Sequence, residues 1–147
     1  MCAKTEDTEF RVFLDAISEC FIEQDFDLWR RSVSLPLSLI TAAGPVEIAD
    51  LIGLQENFDL YLQASAAMRL TKIYRKMVSV EQCGDGTWMG TYETNLLSGA
   101  VRVITPYTSS ALMIGTANGF RATSILNARG HHEWTGLMPR KPKDLVR

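Results

Sequence analysis

The chain has 147 residues, of which 46% are hydrophobic and 22% are charged, and its formal net charge is −2. This length suits one globular domain that buries a real core, and the composition excludes intrinsic disorder for the chain as a whole. The small net charge gives no electrostatic reason to bind nucleic acid or an anionic membrane surface, so we expect neither as a partner.

The cysteines and the first residues bear on cofactors and location. Cys2, Cys20 and Cys83 lack the C-x-x-C spacing of a zinc ribbon or a thioredoxin-like site, and we expect no metal and no other cofactor. The first residues are polar and acidic, and no apolar run approaches the roughly 18 residues that a membrane span needs. These features predict a cytoplasmic protein.

Helical periodicity dominates the start of the chain. From Thr8 to Gln24, apolar residues recur at steps of three and four and predict one amphipathic helix. A short second helix should follow, with Asp27 as its cap and an end before Pro36, because a proline ring disfavours the helical conformation at the preceding residue.

Two short strands and another long helix are predicted next. Residues 37–41 and 45–48 flank a turn and predict a strand pair. Asp50 then lies where a helix cap is needed. The apolar residues after it keep a helical spacing until about Met68.

The second half of the chain predicts a sheet. Four strands are expected between Gly-containing turns: 69–82, 87–97, 101–115 with a bend at Pro106, and 120–127. Helices that precede an antiparallel meander are typical of the α+β class. Residues 1–138 form this single domain in the prediction, and residues 139–147 form a basic tail that we interpret as a solvated terminus.

A sheet of long, twisted strands curls, and helices laid across its concave side close a cone. We therefore expect N-terminal helices packed on a strongly curved antiparallel sheet. The cone should contain an internal pocket that side chains do not fill.

Three stretches of the sequence resemble one known superfamily. They are Phe26-Asp27-Leu28-Trp29, Gly90-Thr91-Tyr92-Glu93-Thr94 and Asn118-Gly119-Phe120-Arg121-Ala122. Together with the element order over about residues 8–134, they make the chain similar to the nuclear-transport-factor-2-like (cystatin-like) superfamily, and within it to small bacterial proteins without an assigned activity. The resemblance implies an α+β cone. It implies no single reaction, since the superfamily includes isomerases, dehydratases, epoxide hydrolases, polyketide cyclases and proteins that only bind ligands or partners.

Two reactions of that superfamily are disfavoured by the residues present. In the register of the resemblance, an isomerase would need a hydroxyl donor at Ile17 and a carboxylate base at Thr41, and neither side chain can serve. A dehydratase would need a histidine beside an aspartate. His131 and His132 are adjacent, and an extended segment points adjacent side chains to opposite faces.

A hydrolase-like site remains open as the catalytic alternative. It needs a carboxylate–arginine–carboxylate group that holds and activates water, and the sheet offers Glu93 and Arg102, with Arg75 or Glu81 as a further member. Tyr107 is a further candidate catalytic residue. The site requires Glu93 to face inward, which strand alternation forbids if Tyr92 faces inward.

Our leading hypothesis is the binding of a small, mostly apolar ligand inside the cone, without defined chemistry. Such a site should have a volume of roughly 300 Å³ or more. The side chains expected to line it are Trp29, Tyr61, Tyr92, Tyr107, Ser109 and Asn127. The alternatives are a cofactor-independent lyase, isomerase or hydrolase of the polyketide-cyclase-like type, and a protein-interaction module with a filled core.

The outer face of the sheet predicts a partner. Six apolar residues are too many for a solvated surface if most of them point outward: Val78, Val80, Ile104, Leu112, Ile114 and Ile125. A homodimer through the sheet is the simplest way to cover such a patch.

Overall fold

The computed structural model describes residues 5–129. In chain order, its elements are the helices α1 (Thr5–Ile22) and α2 (Phe26–Ser32), the strands β1 (Val33–Thr41) and β2 (Gly44–Ile48), the helix α3 (Leu51–Ala67), and the strands β3 (Lys72–Gln82), β4 (Thr87–Ser98), β5 (Val101–Arg102), β6 (Tyr107–Thr116) and β7 (Gly119–Leu126). Helices precede the long strands, which confirms the predicted α+β class.

Some predictions concern parts of the chain outside this description. The domain end at 138, the basic tail at 139–147, and His131 and His132 all lie outside the described residues. Within residues 5–129, no helix is both long enough and apolar enough to cross a membrane. The cytoplasmic location stays a prediction.

The strands form one seven-stranded mixed sheet with the order β2-β1-β7-β6-β4-β3, and β5 pairs with the end of β4. The pairs among β3, β4, β6 and β7 are antiparallel as predicted, but β1 runs parallel to β7. The expectation of a wholly antiparallel sheet was therefore wrong at this one pairing. No short turn joins β1 to β7, so the local sequence does not constrain their relative direction.

Two prolines lie where the predicted boundaries were wrong. α2 already ends at Ser32, and Pro36 lies inside β1 after a cis peptide bond instead of ending a helix. The strand predicted over 101–115 is divided into β5 and β6. Residues 103–106 lie outside both strands, because Pro106 has no N–H to donate to a strand ladder.

Two aspartates cap helices, and one of them differs from the prediction. The Asp25 side chain, and not that of Asp27, accepts the hydrogen bond from the Leu28 backbone N–H at the start of α2, with an N···O distance of 3.1 Å. Asp27 instead pairs with two arginines of the same helix, Arg30 and Arg31. At the start of α3, Asp50 accepts from the Gly53 N–H at 2.8 Å, as predicted.

The Arg121 side chain connects α2 to the sheet. The pairing of β1 with β7 shifts register between Val33 and Ser38. Across this irregularity, Nε and Nη2 of Arg121 donate to the Val33 carbonyl oxygen at 3.0 and 2.6 Å, and Nη2 also donates to the Arg30 carbonyl oxygen at 3.3 Å. One guanidinium thus supplies hydrogen bonds where the backbone ladder is interrupted.

The core lies between the helices and the concave face of the sheet. α1 packs against β3 and β7 and buries its apolar stripe there. Aromatic rings from all three helices meet beneath it: the Phe21 ring centroid is 5.2 Å from that of Phe58 and 5.4 Å from those of Trp29 and Tyr61. These rings leave little of the interior open.

Candidate functional site

Strand alternation decides which side chains face the interior. On β4, Tyr92 and Thr94 are buried on the concave side, so Glu93 between them faces the convex side. On β6, Tyr107 and Ser109 are buried on the concave side, as predicted from their apolar neighbours two residues away.

The interior contains a small cavity of about 40 Å³. It is lined by Ile17, Phe21, Trp29, Leu39, Tyr61, Arg75, Tyr92, Thr94, Tyr107, Ser109, Ile125, Ala128 and Arg129. At roughly 10–15 Å³ for each water, this space holds about three or four water molecules. The predicted volume was therefore much too large, because the rings contributed by the helices occupy the space that the curved sheet encloses.

Five of the six expected lining residues do line this cavity, and Asn127 does not. Asn127 is exposed, and its Nδ2 donates to the Thr108 carbonyl oxygen on the neighbouring strand. Its own carbonyl oxygen accepts from the Ser109 hydroxyl at 2.9 Å. Asn127 therefore fixes a lining hydroxyl from behind instead of contacting the cavity.

Three buried polar atoms of the lining residues have no hydrogen-bond partner: Trp29 Nε1, Arg75 Nε and Thr94 Oγ1. Within residues 5–129, the other buried side-chain atom in this condition is Asn57 Oδ1, whose residue does not line the cavity. A buried polar group left without a partner costs about 1–3 kcal/mol, and native proteins contain few of them. All three atoms belong to residues that line the same small space.

Arg75 is held in place at one end of its guanidinium. Its Nη1 donates to the Ile17 carbonyl oxygen of α1 at 2.8 Å and to the Ser18 hydroxyl at 3.2 Å. The positive charge is felt nearby, because it acts to lower the pKa values of Tyr92 and Cys20. Burial acts in the opposite direction on both groups and is the larger effect, so the pKa of Tyr92 is raised to about 12. Tyr92 is therefore a neutral hydroxyl at physiological pH.

The charged residues that line the cavity within positions 5–129 are of one sign. Arg129 lies over the Tyr107 ring, with its guanidinium carbon 4.7 Å from the ring centroid, and its carbonyl oxygen accepts from the Tyr61 hydroxyl. Among the described lining residues, Arg75 and Arg129 are cationic and none is an aspartate, glutamate or histidine. Over the described part of the chain, no three His, Cys, Asp or Glu side chains form a group able to hold a metal ion.

The three catalytic candidates are not brought together. Glu93 and Arg102 lie on the convex side, connected through Asn95: Arg102 Nε donates to Asn95 Oδ1 at 2.9 Å, and Asn95 Nδ2 donates to Glu93 Oε1 at 3.4 Å. Tyr107 is buried on the concave side. The hydrolase-like site that requires Glu93 inside the cone is therefore not formed, because inward-facing Tyr92 forces its neighbour outward.

Thr94 was not among the residues predicted from the sequence, and Arg75 was named only as a possible member of a hydrolase-like site. Arg75 lies two residues from Ile73 and two from Met77, and this apolar alternation on β3 places the arginine on the inner face. Thr94 shares its strand face with Tyr92 for the same reason. The strand faces of Arg75 and Thr94 could be predicted from the alternation of buried and exposed positions. The absence of a hydrogen-bond partner for each polar atom depends on the packed structure.

Comparison with known proteins gives the fold. No family model matches the sequence, and no curated protein matches it. Among solved structures, similar ones are a protein from Kribbella flavida (16% identity, TM-score 0.61, covering 84% of this chain and 90% of that one), a cystatin-like domain of unknown function from Nostoc punctiforme (9%, 0.63, 99% and 84%), and a nuclear-transport-factor-2-like protein of unknown function from Shewanella oneidensis (14%, 0.60, 81% and 95%).

The chain has the nuclear-transport-factor-2-like, cystatin-like fold. This confirms the predicted α+β cone. At identities of 9–16%, the likeness carries the fold alone. A function for this member of the fold has to be argued from its own cavity.

Proposed function

We propose that this cone binds a small polar molecule in its interior cavity. The observation that carries the proposal is that Trp29 Nε1, Arg75 Nε and Thr94 Oγ1 are all buried and unpartnered and belong to residues that line one space. A guest with hydrogen-bond acceptors would satisfy all three atoms at once. The mostly apolar ligand expected from the sequence fits less well, because about 40 Å³ does not hold a hydrocarbon body of drug-like size.

Binding is better supported than catalysis of the polyketide-cyclase-like type. The described lining residues include no carboxylate or imidazole that could act as a general base, and the raised pKa of Tyr92 makes its hydroxyl a poor one. The polar groups present are donors that hold a guest. None of them is placed to remove its proton.

The experiment is a thermal-unfolding screen with four small probes that differ in polar group: acetate, acetamide, acetone and ethanol. A binder of the native state raises Tm in a saturable manner. We expect at least one probe to do so, and Thr94→Val to weaken the effect by removing one hydroxyl without changing side-chain shape. Thr108→Val makes the same change at an exposed position of β6 and should leave the shift unaltered. If none of the four probes raises Tm, the proposal fails.

A second measurement needs no ligand. If the cavity does not satisfy the Thr94 hydroxyl in the free protein, Thr94→Val should leave the free energy of unfolding unchanged or raise it by up to about 1 kcal/mol. A loss of stability would instead show that ordered water already satisfies the hydroxyl, which would contradict a vacancy kept for a guest.

A protein-interaction module is the second candidate function, and we propose the homodimer through the sheet as its form. It is supported by the nearly filled interior and by apolar residues that the sheet leaves exposed: Val78 and Leu126 are 59% and 40% exposed, and the half-buried Leu112 lies diagonal to Leu126 in the pairing of β6 with β7. The patch is smaller than expected, because Ile125 lines the cavity and Val80 packs against the core. Light scattering would decide: Leu112→Glu should give a monomer, while Thr108→Glu on the same strand should keep the dimer. A wild-type monomer would contradict the proposal.

A further inference from the structure

We infer that the group recognised in the cavity is a small carboxylate, received by the Nε edge of Arg75 together with Trp29 and Thr94. This inference rests on the proposed function and narrows it to one class of ligand. It predicts that a short monocarboxylic acid binds better than its uncharged amide of the same shape.

The unpartnered polar groups of the lining residues favour a guest that accepts hydrogen bonds. The indole N–H of Trp29 and the Nε–H of Arg75 can only donate. The hydroxyl of Thr94 can also donate. The two N–H groups therefore require at least two acceptor lone pairs from a guest, and the Thr94 hydroxyl can donate to a third. A carboxylate has two oxygens and about four acceptor positions, and it has no donor that would be left unpaired.

The Arg75 guanidinium has one edge without a hydrogen-bond partner among the described residues. Its Nη1 is occupied by the Ile17 carbonyl oxygen and the Ser18 hydroxyl. Nε has no partner, and Nη2 makes no hydrogen bond with any described residue. The Nε–H and one Nη2–H point in parallel from the same edge of the planar guanidinium. This edge can bind a carboxylate through two hydrogen bonds.

The positive charge of Arg75 also favours an anionic guest. Within residues 5–129, the ion pairs join Asp27 to Arg30 and Arg31, so Arg75 has no carboxylate partner there. Asp15, Glu19 and Glu23 border the groove between α1 and β3 that Arg75 also lines, but none of them forms an ion pair with it. A partly buried cation bonded only to a carbonyl and a hydroxyl is costly, and an anionic guest would neutralise it.

The volume of the cavity limits the guest to a small group. A volume of about 40 Å³ accepts a group of carboxylate size in place of about three or four waters, so any carbon chain that the group carries must be short. Ile17, Phe21 and Leu39 provide an apolar wall for that chain. The site is therefore suited to a short aliphatic acid, and acetate is the simplest probe.

The test compares acetate with acetamide by isothermal titration calorimetry in a chloride-free buffer. We expect acetate to bind at least tenfold more tightly than acetamide, and Arg75→Gln to abolish this difference. Arg102→Gln removes the same charge from the convex face and should leave it intact. If Arg75→Gln does not fold, Arg75→Lys and Trp29→Phe serve instead. Arg75→Lys keeps the charge but loses the planar fork, Trp29→Phe loses one donor, and each should weaken acetate binding at least severalfold.

The outcomes separate the two proposals. Equal affinity for acetate and acetamide, or binding of acetamide alone, would overturn the carboxylate assignment while supporting a polar guest. Acetate binding that is lost equally in Arg102→Gln and Arg75→Gln would show attraction to surface charge only and would also overturn the assignment. If neither probe binds, and acetone and ethanol also leave Tm unchanged, the proposed function itself fails.

Discussion

The outer end of the Phe10 ring, on α1, lies against Gly90 of β4. A Cβ atom at position 90 would stand 2.8 Å from Cε2 of this ring and closer still to Cζ and Cε1. Phe10 is fully buried and also contacts the Tyr92 ring, with 6.2 Å between the ring centroids. The glycine is therefore required for the close approach of helix and sheet, and not for an unusual backbone conformation.

Gly90→Ala should destabilise the protein by about 1–3 kcal/mol, because the ring or the whole of α1 has to move. Chemical denaturation measures the change. Gly115→Ala is the matched control, since its Cβ would meet Trp88 Nε1 at an ordinary 3.6 Å and should cost little. Phe10→Leu in the Gly90→Ala background should recover part of the loss. Equal effects at positions 90 and 115 would contradict the packing argument.

The buried hydroxyl of Tyr92 should make stability fall at high pH. Burial raises its pKa from the usual 10.0 to about 12, so between these values the unfolded chain releases a proton that the folded chain keeps. The stabilising contribution is complete below pH 10 and is lost as the pH rises towards 12, by about 1.4 kcal/mol per pH unit. Urea unfolding at several pH values should show a shallower fall for Tyr92→Phe. Parallel curves for the two proteins would refute this.

Cys20 and Cys83 should react very differently with a thiol reagent. Cys20 is fully buried, and burial raises the pKa of its thiol to about 12, whereas Cys83 is exposed on the turn between β3 and β4. In a Cys2→Ser background, we expect one thiol to be titrated quickly in the native protein and the second only on unfolding. The matched Cys83→Ser variant should then show no fast phase. A fast reaction that persists in this variant would mean that Cys20 is accessible.

The cap of α2 separates Asp25 from Asp27 experimentally. Asp25→Ala removes the acceptor for the Leu28 N–H and should lower the free energy of unfolding by about 1 kcal/mol, while Asp25→Asn should restore most of it. Asp27→Ala removes only exposed ion pairs and should have a smaller effect. Thermal denaturation of the three variants is sufficient. A larger loss at Asp27 would restore the cap that the sequence suggested.

Much of the fold was predictable because its signals are local. Asp50 precedes a helical pattern and is its cap, and the alternation on β4 implied that Tyr92 and Glu93 face opposite sides. Which of these two faces of β4 packs against the helices could not be decided from the sequence. β1 and β7 pair in parallel although most of the other strands lie between them along the chain. No local sequence signal predicts such a pairing.

The cavity was the least predictable feature. Its volume is the small difference between the space that the curved sheet encloses and the rings that enter it, such as Phe21 and Phe58. Small differences between large volumes depend on rotamers and on helix position, which a pattern of residue types does not specify. The unpartnered state of Arg75 Nε is likewise a property of packing.

The walls of the cavity are contributed by positions from Ile17 on the first helix to Arg129 beyond the last strand. The chamber is thus assembled from contacts that are remote along the polypeptide, and it is absent until both ends of this stretch have docked. A fragment that stops before β7 would lack the floor provided by Ile125 and could not retain a guest. If the cavity binds a guest as we propose, binding during synthesis could begin only after β7, the last strand among residues 5–129, had left the ribosome.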